Sequence, residues 1–156
     1  MDGGMVSGIC INWEEQTIIL VPNAAPEKPL AFGLPGGMIG RGETPEEAMV
    51  REWKEEVWGC GTPQVKPLMK IKRGGEISPH YQHLFLIEDT GRETRRGGVK
   101  GETKAPVRVS LWAIARGEVE VFHSHKLALL SYLESEAPKV KLAAFLFIDM
   151  DRNMKK

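Results

Sequence analysis

The chain has 156 residues, 42% of them hydrophobic and 27% charged, which is enough for one domain with a sizeable core and excludes a disordered or fibrous class. Lysine plus arginine equals aspartate plus glutamate at 21 each, so the formal net charge is zero and nothing draws the chain in bulk to nucleic acid or to a membrane surface. Cys10 and Cys60 have no paired spacing, the start lacks a signal-peptide pattern, and no run of about 18 apolar residues occurs. The expectation is a cytoplasmic protein with reduced thiols, its residues 1–156 forming a single domain.

In chain order, residues 5–13 (MVSGICINW) read as a strand, Glu14, Glu15 and Gln16 as a turn, and residues 17–21 (TIILV) as a second strand. Three prolines make 22–29 a loop, and 30–32 form a short extended lead into a glycine-rich loop. Beyond the central stretch, 65–72 (VKPLMKIK) is a strand in which Pro67 marks an edge or a bulge. Residues 73–78 form a turn and 80–87 (HYQHLFLI) a strand. Residues 90–104 are polar, carry four glycines with Arg92, Arg95 and Arg96, and read as a surface loop. Residues 107–115 begin as a strand, and 124–136 have the leucine spacing of a helix. The apolar run 140–148 fits a strand or a helix, with the strand preferred. Strands on both sides of one central helix, followed by a second helix, point to an α/β fold with a mixed sheet covered by helices.

The central stretch is 34–61, LPGGMIGRGETPEEAMVREWKEEVWGCG. Thr44 as N-cap, Pro45 in the first helical position and Glu47 three residues past the threonine make a capping box. Met49, Val50, Trp53 and Val57 recur at helical spacing, and Gly59 is a plausible stop. Glu52, Glu55 and Glu56 stand at i, i+3 and i+4, which places three carboxylates on neighbouring helix surface. Such a face is by itself most often just solvated. Mutual repulsion there is relieved by a cation, and carboxylates with backbone carbonyls suit Mg²⁺ or Mn²⁺. A glycine-rich loop leading into a helix N-terminus favours anions. Together these features suggest phosphate chemistry.

The order Gly37, five residues, Glu43, seven residues, then Arg51-Glu52-Trp53-Lys54-Glu55-Glu56 resembles the Nudix box of the Nudix hydrolases, G-x5-E-x7-R-E-U-x-E-E-x-G-U with U bulky and apolar. The match runs from Gly37 through Val57, and Leu34-Pro35-Gly36-Gly37 before it is also typical of that family. Trp58 and Gly59 stand in the opposite order to the last two positions of the pattern. Either the helix exit is one residue longer, or Trp58 is an additional packing residue.

The resemblance implies an α/β/α sandwich with a mixed sheet between helices. It implies Mg²⁺ or Mn²⁺ as cofactor, with Glu52 and Glu56 as main ligands. Glu55 is implied as ligand to a second ion or as base, and the Gly36 carbonyl as a further ligand. Arg51 and Glu43 are implied to pair, fixing the Gly37 loop against the helix; the bland alternative for Arg51 is an i, i+4 pair with Glu55. Glu102 is a candidate extra carboxylate, as ligand or base, against a reading as an exposed loop acid, with Glu93 a weaker competitor. The implied activity is hydrolysis of a pyrophosphate linkage in a nucleoside diphosphate joined to another moiety, a (d)NTP or related nucleotide by default. The alternative is a catalytically silent nucleotide-binding sensor domain. The partner is thus a nucleotide, with no membrane and no stable nucleic-acid binding expected, and a homodimer is one expectation because many relatives form dimers.

Other candidates each have a structural counterpart. Lys70, Lys72, Arg73, Arg95 and Arg96 would meet phosphates or simply be solvated. Tyr81 and Trp112 would stack on a base or belong to the core. His80, His83, His123 and His125 show no metal-ligand spacing. The family's substrate marks do not fall in place: Pro79 and Tyr81 stand late, and His123-Ser124-His125 occupies the region where members acting on oxidised dGTP carry asparagine.

Overall fold

The computed structural model describes residues 4–23, 30–58, 61–74, 80–91, 94 and 105–135. Among the described residues eight strands are formed: β1 (Met5–Ile9), β2 (Ile11–Asn12), β3 (Thr17–Pro22), β4 (Phe32–Gly33), β5 (Gly36–Met38), β6 (Val65–Arg73), β7 (His80–Ile87) and β8 (Val107–Ser110). The helices are α1 (Pro45–Trp53), which continues into a π-turn over Lys54–Trp58, α2 (Leu111–Ala115) and α3 (His123–Ser135). The expected strand at 140–148, the Gly59 stop and most of the 90–104 loop lie outside the described residues. Among the described residues no helix is long and apolar enough to cross a membrane.

The mixed sheet is present, with strand order β5-β1-β7-β6. Its β1–β7 pair is parallel and its other pairs are antiparallel. A second, antiparallel sheet stands beside it, β2-β3-β4 with β8 also on β3. The single strand expected over 5–13 is therefore two. The chain leaves the first sheet at Cys10 and enters the second at Ile11, as strands do where they turn a corner between sheets. The Cys10 carbonyl accepts from the Ile19 N–H at 3.1 Å, which joins the two sheets at that corner.

Alternating side chains show that helices cover both faces. Ile18, Leu20, Leu84 and Ile9 join α2 and α3 in one apolar cluster. Ile19, Phe85, Val6 and Cys10 join α1 in the other. Pro67 meets both of its expectations, since β6 is an edge strand and its register shifts between Pro67 and Met69. Ser110 ends β8 and caps α2, its hydroxyl accepting from the N–H groups of Trp112 and Ala113, so only the first half of 107–115 is strand. Gln16, at φ +57, closes the turn before β3.

The expected capping box is formed at α1, with Thr44 and Glu47 bonded reciprocally. Met49, Trp53 and Val57 are fully buried, and Val50 is half-buried. A π-turn holds one residue more than an α-turn, and here it coincides with the place where the motif's glycine arrives one residue late. Of the two readings of Trp58, the packing one is realised: Trp58 is buried, its ring edge-on to Trp53 with centroids 5.9 Å apart and planes at 84°, while the exit at Gly59 lies outside the described residues. Trp58→Ala should therefore cost about 3 kcal/mol of stability in urea denaturation, whereas Lys54→Ala, exposed in the same turn, should stay within about 0.5 kcal/mol.

Candidate active site

The glycine-rich stretch is not all loop, because Gly36–Met38 forms β5. It pairs antiparallel with β1, Ser7 opposite Gly36 and Val6 opposite Gly37. Close approach explains the two glycines: a Cβ on Gly36 would collide with the Val6 carbonyl oxygen, and one on Gly37 with the Glu52 carboxylate. Glycine here lets a strand lie flush against the acidic end of α1.

The three predicted carboxylates differ in exposure. Glu52 and Glu56 are buried, at 8% and 3% exposure. Glu56 Oε1 accepts from the Gly36 N–H at 2.8 Å, and Glu52 rests against Gly37. The Glu55 side chain is 51% exposed and lies 3.5 Å from Arg51 Nη1. It lines a hollow of about 560 Å³ along the outer edge of α1, together with Arg51 and Lys54. The helix thus turns one i, i+4 pair toward the glycine strand and leaves the third acid outside.

Arg51 and Glu43 form the pair that the motif implied. Arg51 Nε donates to Glu43 Oε2 at 2.7 Å and Nη2 to Glu43 Oε1 at 3.0 Å, a two-pronged bond. Nη2 also donates to the Met38 carbonyl at 3.0 Å, and Nη1 to Glu52 Oε1 at 2.9 Å. Glu43 in turn accepts from the Gly40 N–H at 2.6 Å. Loop, β5 and helix are all held by this guanidinium. The i, i+4 contact with Glu55 also exists, but it is the longest of the set. The Arg51 hydrogen bonds, and then that from Gly40, hold the Glu43 carboxyl below its ordinary range, and Glu43 in turn raises the Arg51 pKa.

Glu102, Glu93, Arg95, Arg96, Pro79 and Cys60 lie outside the described residues. Lys70 caps the Tyr81 ring, its Nζ 4.1 Å from the centroid, so Tyr81 is engaged on the sheet. Trp112 Nε1 donates to Gln16 Oε1 at 2.6 Å, which binds it to the β2–β3 turn. Arg73 is tied to Gln82 Oε1 at 2.7 Å and to the Ser124 carbonyl at 2.9 Å. Gln82 Nε2 continues this chain to Ser7 Oγ at 3.0 Å. Cys10 is buried, which pushes its thiol up to about 12 and makes it a poor nucleophile. A separate cavity of about 640 Å³, lined by Trp13, Asp89 and Tyr132 among others, contains none of the predicted site residues.

Sequence reasoning passed over His125. Its Nδ1 accepts from the Leu34 N–H at 2.7 Å, just before the two-glycine strand. Its signals in the sequence, a place near the start of a predicted helix and in the region where members acting on oxidised dGTP carry asparagine, say nothing about reach to residue 34.

Among the described residues no three His, Cys, Asp or Glu side chains form a ready-made ion cage. The donor set nevertheless fits a hard divalent cation. Two buried carboxylates and the adjoining carbonyl-bearing glycine strand offer oxygen ligands. One guanidinium is shared among Glu43, Glu52 and Glu55, so the site carries more negative than positive charge.

A family model, the NUDIX domain, matches residues 4–130. The chain belongs to the Nudix family. The ADP-ribose pyrophosphatase of Methanocaldococcus jannaschii is 38% identical over 69 residues, spanning 42% of this chain and 40% of that protein. Solved structures share the fold at low identity. A NUDIX domain of Shewanella oneidensis NrtR, complexed with ADP ribose, superposes at TM-score 0.67 with 13% identity, over 87% of this chain and 88% of that one. A NUDIX hydrolase from Nitrosomonas europaea gives 0.65 at 13%, over 86% and 90%, and a MutT NUDIX hydrolase from Burkholderia pseudomallei 0.61 at 19%, over 81% and 95%.

Acid should act on this region in two windows. Burial first, and then Arg73, push His125 down from 6.5 to about 4, so the unfolded chain takes up this proton before the folded one and stability declines as pH falls between those values. Glu43 has a folded pKa below 4.5, so its contribution is full above that value and is lost as pH falls through the lowered one. Arg51→Lys removes the two-pronged bond. It should raise the Glu43 pKa toward 4.5, read by carboxyl carbon NMR.

Proposed function

We propose that the chain is a divalent-metal-dependent Nudix hydrolase that cleaves the pyrophosphate linkage of a nucleoside diphosphate joined to another group. The observation that carries this reading is the placing of Glu52 and Glu56, two buried acids held against the backbone of Gly36 and Gly37. A buried carboxylate pair without a function would be an expense to the fold. Backbone groups of a glycine strand beside acids are suited to a metal-bound phosphate chain.

In this reading Glu52, Glu56 and the Gly36 carbonyl hold the ion, either Mg²⁺ or Mn²⁺. Such an ion neutralises phosphate charge and acidifies a bound water. Glu55, exposed at the rim, can reach solvent and is the base that the described residues offer. Glu102 is retained as its competitor. Arg51 does not meet substrate; it fixes Glu52 and, through Glu43, the turn at Gly40. The buried Cys10 thiol is unsuited to attack, and this reading uses a water molecule as the nucleophile.

The names of two similar proteins support an order in which to test substrates. One is called an ADP-ribose pyrophosphatase, and a protein of the same fold was solved with ADP ribose. ADP-ribose and related nucleoside diphosphate derivatives are therefore the first compounds to test, ahead of the (d)NTPs. Assay with Mg²⁺ and with Mn²⁺ on both groups should release AMP or an equivalent monophosphate. Binding without turnover of any nucleotide would instead support the silent sensor domain.

Glu56→Gln should lower turnover by about 100-fold or more, as expected for loss of a direct metal ligand. Its amide oxygen still accepts from Gly36, so the thermal midpoint should be unchanged or raised. Full turnover in Glu56→Gln would remove Glu56 from the metal site.

A further inference from the structure

The glycine strand is held from three directions within three consecutive residues. The Pro35 carbonyl accepts from the Gly8 N–H of β1 at 2.8 Å. The Gly36 N–H donates to Glu56 on the α1 side at 2.8 Å. The Leu34 N–H donates to His125 Nδ1 at 2.7 Å. This last anchor comes from α3, which packs with the other apolar cluster on the sheet face opposite α1.

His125 is itself closely fitted. A Cβ added to Gly33 would lie 3.1 Å from its Nδ1 and 3.2 Å from Phe122 Cδ2. The Phe122 ring is 5.9 Å away at 57°. Backbone bonds join the same two segments: Phe32 N–H to the Glu120 carbonyl and Phe122 N–H to the Phe32 carbonyl, each 2.9 Å. The imidazole is therefore a short, stiff link between the start of α3 and the strand that carries Gly36.

We propose that His125 is a positioning residue for the hydrolytic site: its neutral Nδ1 fixes Leu34, and through Pro35 sets the height of Gly36 against Glu56. The role rests on the metal-site reading above. Proline at 35 makes the coupling stiff, because its fixed φ leaves little freedom between the two anchored N–H groups. An acceptor at Nδ1 requires the proton on Nε2. A cationic ring would present N–H to N–H and break the link. Among the described residues the charged group facing the ring is Arg73 of β6, which adds to burial in keeping the ring neutral. Lys126 lies 3.9 Å from Glu120, while Gly33 and Leu34 contribute backbone and Phe122 an uncharged ring.

The test uses His125→Ala, His125→Asn and His125→Gln. Asparagine puts an oxygen where Nδ1 stands; glutamine puts one a bond further out. Two readouts are taken on metal-free, substrate-free protein and with Mn²⁺ alone: the Leu34 and Gly36 amide resonances, and the Mn²⁺ affinity. A third is turnover of ADP-ribose. Alanine should shift both amides and weaken Mn²⁺ binding and kcat by about 10-fold, the usual effect of losing an outer support; asparagine should restore them and glutamine should not. In the wild type, the Leu34 and Gly36 amides should titrate together with the His125 ring as pH falls. Unmoved Gly36 and Mn²⁺ affinity in alanine, equal rescue by glutamine, or amides that ignore the ring would overturn the proposal. If alanine does not fold, the asparagine–glutamine comparison and the wild-type titration decide. Absence of ADP-ribose turnover in the wild type would remove ADP-ribose as the substrate, and absence with every nucleotide tested would refute the hydrolase reading, while the amide and Mn²⁺ results still judge His125.

Discussion

The arrangement depends on one guanidinium. Arg51 grips Glu43 with two donors, supports Glu52 with a third and reaches the Met38 carbonyl, so a helix, the loop before it and the end of β5 form one rigid unit. Without that fork, Glu43 would have no strong reason to draw the Gly40 turn back onto α1. Lysine carries the same charge but cannot match this planar geometry. The energy of each bond is modest at a half-exposed position; the effect lies in how many separate segments one side chain brings into register.

The second constraint is steric. β5 lies against β1 and the α1 acids at distances that leave no room for a Cβ at Gly36 or Gly37. Burial then concentrates Glu52 and Glu56 at that line, while Trp53 and Trp58 hold the helix end on the sheet below. The π-turn reconciles the two demands. It accommodates an additional large residue for packing while Glu56 still reaches Gly36. The departure from the motif at Trp58 thus leaves the acidic pair in place.

Much of this was legible in the residues, for local reasons. The capping box, the apolar face of α1 and the bulge at Pro67 are set by short-range spacing, which a sequence displays directly; the Arg51–Glu43 pair was implied by the resemblance to the Nudix box. The family match extends well beyond that stretch, over residues 4–130. What was not legible is long-range. That residues 5–13 divide between two sheets depends on which partners lie beside Cys10. That the Gly36–Met38 segment is a strand depends on β1, because glycines carry no strand signal of their own. That Glu52 and Glu56 are buried while Glu55 stays exposed depends on β5 lying against only two of them. The contact between His125 and Leu34 spans 91 residues, and no pattern in either segment announces it.

The most direct measurement is the position of a metal ion. Crystals grown with Mn²⁺ and a non-hydrolysable ADP-ribose analogue would locate it by anomalous scattering. The account predicts a peak bounded by carboxylate oxygens of Glu52 and Glu56 and the Gly36 carbonyl, with the analogue's phosphates on the same ion. A peak elsewhere, with Glu52 and Glu56 still resting on Gly37 and Gly36 and away from the phosphates, would contradict it.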